Sequence, residues 1–148
     1  MHKKVLAFVY DGEKYLALRN NYKDPTHGGD YWFTVTGGVE GKESYQEAVI
    51  REVMEETGLE VEKIFDLNWS SKYTWQDQDH EESNFLAIVT PGQVTLNEEH
   101  VDWIWLPLNK FVAKLNWGLN KRELKSALEK ATQGKAYFKA RRIEDLRK

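Results

Sequence analysis

Apolar and polar positions change register several times along the chain, and each change marks an element. Residues 4–10 and 14–19 are short apolar runs that meet at Asp11-Gly12, the strongest short-range signal for a β-hairpin. Residues 19–30 are polar and broken by Pro25, Gly28 and Gly29, so they read as a loop. Residues 31–36 form an aromatic and β-branched strand that delivers a glycine turn. Residues 44–58 then switch to a helical period: Val49, Ile50, Val53, Met54 and Thr57 fall on one arc of about 140°. Ser44 and Glu47 form a capping box, and Gly58 stands where a left-handed residue ends a helix. Residues 61–75 hold one or two strands rich in Trp and Tyr, and residues 76–82 read as an exposed acidic turn. Residues 84–90 carry the unbroken run Phe85-Leu86-Ala87-Ile88-Val89, which predicts a strand covered on both faces. A short apolar run at 103–106 stops at Pro107, and a turn or short helix follows at 109–111. Leu119, Leu124, Ala127, Leu128 and Ala131 then stripe a helix over 119–132, closed by Gly134. Strands on both sides of one helix, with a second helix near the end, predict an α/β fold with a mixed sheet between helices.

The polar side of the first helix carries the chemistry. Glu52, Glu55 and Glu56 are spaced i, i+3, i+4, a placement that costs a few tenths of a kcal/mol per like-charged pair in an isolated helix. Arg51 lies one turn from both Glu47 and Glu55 and can pair with either, which leaves Glu52 and Glu56 facing the same space. Two hard carboxylates aimed at one point suit Mg²⁺ or Mn²⁺, ions that take their remaining ligands from water and phosphate oxygens. A solvated acidic face is the alternative for any Glu-rich helix.

The wider spacing decides between them. Residues 37–59 match Gly-x5-Glu-x7-Arg-Glu-U-x-Glu-Glu-x-Gly-U, U being aliphatic, through Gly37, Glu43, Arg51, Glu52, Val53, Glu55, Glu56, Gly58 and Leu59. Average residue usage would produce that on the order of once in 10⁹ starting positions. The pattern is the signature of the Nudix hydrolases, which this chain resembles over roughly residues 4–130. The resemblance implies an α/β/α sandwich with a mixed β-sheet and a metal-dependent attack of water on a phosphoanhydride. It implies Glu52 and Glu56 as principal metal ligands, Glu55 as a further ligand or base, Arg51 as the residue that orients the carboxylates, and the backbone carbonyl of Thr36 as completing the site. Two positions depart from common members: Val35-Thr36-Gly37 stands where many have Pro-Gly-Gly, and Lys42 where many have Gly.

In many members a carboxylate outside this stretch adds a ligand or the general base. Glu99 is the choice here, with Glu98 in reserve; His100 reads as a structural hydrogen-bonding residue. Arg19 and Lys23, on the loop, and Trp32, before the glycine turn, are the candidate substrate-binding residues. Residues 32–37, the Glu99-His100 dipeptide, Trp105-Leu106 and Trp117-x-x-Asn120 are similar to the dihydroneopterin triphosphate pyrophosphohydrolase branch. That similarity points to a nucleoside-triphosphate-like substrate, with dinucleoside polyphosphates and nucleotide sugars left open. A non-hydrolytic Nudix-fold nucleotide sensor is the reading from another class, and the complete acid set speaks against it.

Composition narrows the rest. The 148 residues suit one domain, 1–134, able to bury roughly 70% of its unfolded surface, followed by a basic tail, 135–148, expected to pack on it as a terminal helix. With 41% apolar residues and a formal net charge of −3, nucleic acid is not an expected partner, and a small anionic substrate must be met by metal and local basic groups. The absence of cysteine excludes disulfides, thiolate metal sites and cysteine nucleophiles. No run is long enough for a signal peptide or a membrane span, so a cytoplasmic location is expected; a homodimer is left open.

Overall fold

The computed structural model describes residues 2–118, 120–133 and 141–143. In chain order these form β1 (His2–Tyr10), β2 (Tyr15–Asn20), a 3₁₀ turn (Pro25–His27), β3 (Trp32–Phe33), β4 (Val35–Gly38), α1 (Tyr45–Thr57), β5 (Val61–Trp75), β6 (Gln78–Val89), β7 (His100–Leu106), α2 (Leu108–Lys114), α3 (Lys121–Thr132) and β8 (Arg141–Ile143).

The hairpin forms as expected, with Asp11 Oδ1 accepting from the Glu13 and Lys14 amides at 2.9 and 2.7 Å. Its strands then part. One edge of β1 runs parallel to β6 from His2↔His80 to Tyr10↔Ile88. The other edge is shared: Tyr10 meets β2, and residues 4–7 run antiparallel to β4. Meanwhile β2 pairs with β7 from Tyr15↔Leu106 to Asn20↔His100 and with β3 at Leu18↔Phe33. The splay between β1/β4 and β2/β7 opens the cleft that holds the candidate site.

Alternation along the central strands sends side chains to two layers. Val5, Ala7, Val9, Leu16, Leu18, Phe85, Ala87 and Val89 pack with Ala48, Val49 and Val53 of α1. Leu6, Phe8, Tyr15, Ala17 and Leu86 pack on the opposite face with Phe111 and Val112 of α2 and Leu124, Leu128 and Ala131 of α3. The result is an α/β/α sandwich about a mixed sheet, and it accounts for the unbroken apolar run in β6. Each fully buried Leu or Phe contributes about 1.5–3 kcal/mol.

Four local expectations are corrected. The acidic turn shrinks to Gln76 and Asp77, both left-handed at φ +53 and +60, the two-residue geometry that matches strand twist; residues 78–82 are strand, and His80 is buried. The apolar arc of α1 is rotated: Met54 is 47% exposed, whereas Glu52 and Glu56 join Ala48, Val49, Val53 and Thr57 on the buried face. The helix after Pro107 is longer than expected, running over Leu108–Lys114. Arg141–Ile143 is a strand paired with β5 at Ile64↔Ile143 rather than part of a terminal helix. Leu119, Gly134 and the remainder of the tail lie outside the described residues. Both ends of α1 stand as read: Ser44 and Glu47 exchange hydrogen bonds of 3.0 and 3.1 Å, and the left-handed Gly58 donates to Met54 O at 2.9 Å.

Candidate metal and substrate site

Burying a glutamate requires space and a partner, and β4 provides the space. A Cβ built on Gly37 would lie 2.1 Å from Cδ of Glu52, so only glycine lets α1 turn this carboxylate against the strand. Arg51 provides the partner. Its Nη1 donates to Glu52 Oε1 at 2.6 Å and its Nε and Nη2 grip Glu43 at 2.7 and 2.8 Å, while Nη2 also donates to Gly38 O at 2.8 Å. A planar guanidinium thus ties the start of the motif, the glycine turn and the helix into one frame.

Glu56, one turn on, is 1% exposed, and its Oε2 has no hydrogen-bond partner. Ligand atoms of Glu52, Glu56 and Glu99 lie within 4.8 Å of one another. Burial first, then the adjoining Glu52 carboxyl and the charge of Glu99, push the Glu56 carboxyl up to about 11, and the Thr36 backbone N–H partly opposes the rise. Burial also raises Glu52, against the pull of Arg51. Three close carboxylates with an orphaned oxygen form a site that holds either a proton or a cation.

Glu99 reaches the cluster from outside the helix through a loop latched to Asn21, the residue that follows β2. The Asn21 amide donates to Glu99 O at 2.9 Å, and Asn21 Nδ2 donates to Glu98 O at 2.8 Å. Asn97 accepts from the Glu99 amide at 3.0 Å and donates to Glu99 Oε2 at 3.3 Å.

A cavity of about 230 Å³ opens onto the cluster, lined by Asn20, Thr26, His27, Tyr31, Phe33, Thr34, Thr36, Glu56, Glu99 and His100. Asn20, 6% exposed, donates from Nδ2 to the carbonyls of His27 and Gly29 at 2.6 Å each and so folds the loop of residues 21–31 into the wall. Sequence reasoning missed Asn20, Tyr31, Phe33 and Thr34. The polar loop gave no sign that it closes on itself.

Other expected residues are placed apart from this cavity. Glu55 is half-exposed and meets Arg51 Nη1 at 3.3 Å, outside the three-carboxylate cluster. Arg19 makes a two-pronged pair with Asp30 at 2.8 and 2.9 Å and covers the Tyr22 ring. Lys23 is exposed on the loop, its amide donating to Asn21 Oδ1. Trp32 exchanges 2.8 and 2.9 Å hydrogen bonds with Asn116 and lies under Lys114. None of these four lines the cavity. Glu98 contributes its carbonyl to the latch. His100 Nδ1 is buried 3.7 Å from Glu56 Oε1 with no hydrogen bond of its own, against the structural bond expected for it. Burial, then His27, push its pKa down to about 4, so it is neutral.

Comparison with known proteins agrees with this geometry. A NAD-capped RNA hydrolase NudC of Actinobacillus succinogenes is 30% identical over 99 residues, 66% of this chain and 36% of that protein. The chain therefore spans about a third of the length of the NudC relatives it matches. A dihydroneopterin triphosphate diphosphatase of Haemophilus influenzae is 29% identical over 127 residues, 75% of this chain and 77% of that one. Among solved structures, a NUDIX hydrolase of Listeria monocytogenes superposes with a TM-score of 0.71 at 23% identity, covering 90% of this chain and 97% of that one. The dihydroneopterin triphosphate pyrophosphohydrolase of E. coli superposes at 0.63 and 22% identity, covering 89% and 95%. The family model for the NUDIX domain matches residues 1–128, and with the signature's Arg51, Glu52 and Glu56 assembled as described, the chain belongs to the Nudix family.

Proposed function

We propose that this protein is a divalent-metal-dependent pyrophosphohydrolase that splits a phosphoanhydride bond of a nucleoside-triphosphate-like substrate by attack of water. The observation that carries the reading is the convergence of Glu52, Glu56 and Glu99 within 4.8 Å at the wall of a cavity. An all-oxygen donor set with one orphaned buried oxygen fits Mg²⁺ or Mn²⁺. Glu52 and Glu56 would hold the ion and Glu99 would close the set. The Thr36 carbonyl would join them: the Thr36 N–H bonds Glu56, and the N–H and C=O of one strand residue point to the same edge. When bound, the ion neutralises charge that develops on the phosphoryl oxygens.

The chain's own residues supply the remainder. Arg51 fixes Glu52 without entering the cavity and is a positioning residue. Glu99, whose Oε2 accepts from Asn97, would accept the proton of the attacking water. His100, neutral and 3.7 Å from Glu56, and the rings of Tyr31 and Phe33 line the cavity beside the carboxylates. A heterocycle in the cavity would meet the rings of Tyr31, Phe33 and His27, since Asn20 Nδ2 and the Thr34 hydroxyl are committed to backbone carbonyls. The diphosphatase relative, matched over about three quarters of both chains, favours dihydroneopterin triphosphate among such substrates.

A release assay for phosphate and pyrophosphate with Mg²⁺, and then Mn²⁺, tests this. The panel comprises nucleoside triphosphates, dihydroneopterin triphosphate, dinucleoside polyphosphates and nucleotide sugars, with Glu56→Gln as the blank. Turnover of one class that falls at least about 10²-fold in the blank is expected. Silence across the panel from folded, metal-loaded protein, or full turnover by Glu56→Gln, overturns the reading.

A further inference from the structure

Asn20 is the last residue of β2 and stands opposite His100 of β7. Both line the cavity beside the carboxylate cluster, and His100 Nδ1 is 3.7 Å from Glu56 Oε1. Along this wall Glu56 adjoins His100, and His100 adjoins Asn20. A substrate whose phosphates meet the cluster therefore has the Asn20 end of the wall left for its heterocycle.

Two hydrogen bonds fix which way the Asn20 amide points. Its Nδ2 donates to His27 O and Gly29 O at 2.6 Å each, and turning the amide over would set Oδ1 against two carbonyl oxygens. Both hydrogens of Nδ2 are thus spent inside the protein. Oδ1 is left as an acceptor. Among the described residues nothing donates to it, and it is not sealed from solvent as the orphaned Glu56 Oε2 is; its lone pairs open to the cavity that Asn20 lines. The threonine hydroxyls of the lining are committed in the same sense. Thr26 Oγ1 donates to Asp24 Oδ1 and Thr34 Oγ1 to Ala7 O, each at 2.7 Å, so toward a ligand each can only accept.

We propose that Asn20 is a specificity-determining residue: its Oδ1 accepts from an exocyclic amino group of the substrate's heterocycle, so the cavity prefers an amino-bearing purine or pterin ring to the same ring without that group. A ring with only hydrogen there leaves Oδ1 unpaired, and one with a carbonyl sets two acceptors face to face. A site built around a fixed polar atom rejects an analogue for that reason.

The proposal rests on the pyrophosphohydrolase reading for where the phosphates sit, but its test needs no turnover. Ligand-observed NMR titrations in EDTA compare guanosine with inosine monophosphate, adenosine monophosphate with purine riboside monophosphate, and pterin with lumazine; the members of each pair differ at one amino position. In at least one pair the amino-bearing member is expected to bind at least about threefold tighter. Asn20→Ala should bring that pair to parity. Asn20→Asp, which keeps an acceptor and loses both donors, should retain the preference at a lower Tm. No preference in the unaltered protein overturns the assignment without any variant. A preference that survives Asn20→Ala overturns it by pointing to other acceptors, and one lost alike in both variants overturns it by tracing the preference to the shape of the loop. None of these outcomes bears on hydrolysis, which the release assay judges by itself.

Discussion

The Glu52 carboxylate occupies the space that a side chain at Gly37 would need: an added Cβ falls 2.1 Å from Glu52 Cδ. The two residues are fifteen apart in sequence, and their contact sets where the carboxylate cluster forms. Gly37→Ala is therefore expected to displace Glu52 or push back α1, destabilising the fold by about 1–3 kcal/mol as overpacking does. Mg²⁺ affinity should fall with it. Thermal melts with and without Mg²⁺ check this, and a variant that gains as much Tm from Mg²⁺ as the parent would show that Glu52 had not moved.

Arg51 should not tolerate lysine. It meets Glu43 through two nitrogens, Glu52 through a third contact and Gly38 O through a fourth, a fork that a single ammonium cannot reproduce. Arg51→Lys is expected to lower kcat at least about tenfold with the charge unchanged. Steady-state kinetics at saturating Mg²⁺ separate this loss of geometry from a loss of metal.

The latch on Glu99 predicts a positioning effect from the residue that follows β2. Asn21 holds Glu99 O through its backbone amide and Glu98 O through Nδ2; alanine keeps the first bond and loses the second, worth about 1 kcal/mol. Asn21→Ala should cost about 1 kcal/mol in stability and lower kcat more than it raises KM. The pH profile of kcat should shift in the same direction as in Glu99→Gln. An unchanged profile would remove Glu99 from the proton transfer.

Metal-free protein should lose stability as pH rises above neutrality. The folded Glu56 pKa, about 11, stands above its ordinary 4.5, so its stabilising contribution is full below 4.5 and is lost as pH rises toward 11. His100 works the other way: with a folded value of about 4 against an ordinary 6.5, its contribution is present above 6.5 and is lost as pH falls. Of this pair, Glu56 governs above neutrality. In EDTA, Tm should fall between about pH 7 and about pH 9, and Mg²⁺ should reverse the fall by replacing the proton. Glu56→Gln should flatten the slope; an unchanged slope in that variant would assign it to other groups.

The spacing of residues 37–59 identified the family, the frame of α1 and two of the three clustered acids, Glu52 and Glu56, because a helix period and two cap signals are local properties. The two-sided sheet was likewise legible in the unbroken run of β6, since burial on both faces leaves no polar alternation. The rotation of α1 was not. Helical periodicity ranks apolar residues, and it cannot foresee that a bare strand at Gly37 and the fork of Arg51 would turn Glu52 and Glu56 inward and leave Met54 outside. The cavity walls were hidden for a related reason: Asn20, Tyr31 and Thr34 become neighbours of Glu56 and Glu99 only because β1 and β2 part after Tyr10 and Tyr15. Arg19 and Lys23 looked suited to phosphate by charge, yet the fold commits Arg19 to Asp30 and keeps Lys23 outside the cavity. Sequence thus determined which chemistry the chain carries, through contacts within one or two helical turns. Tertiary structure decided which groups share the space, since pairings across the sheet and loop closures depend on partners tens of residues away.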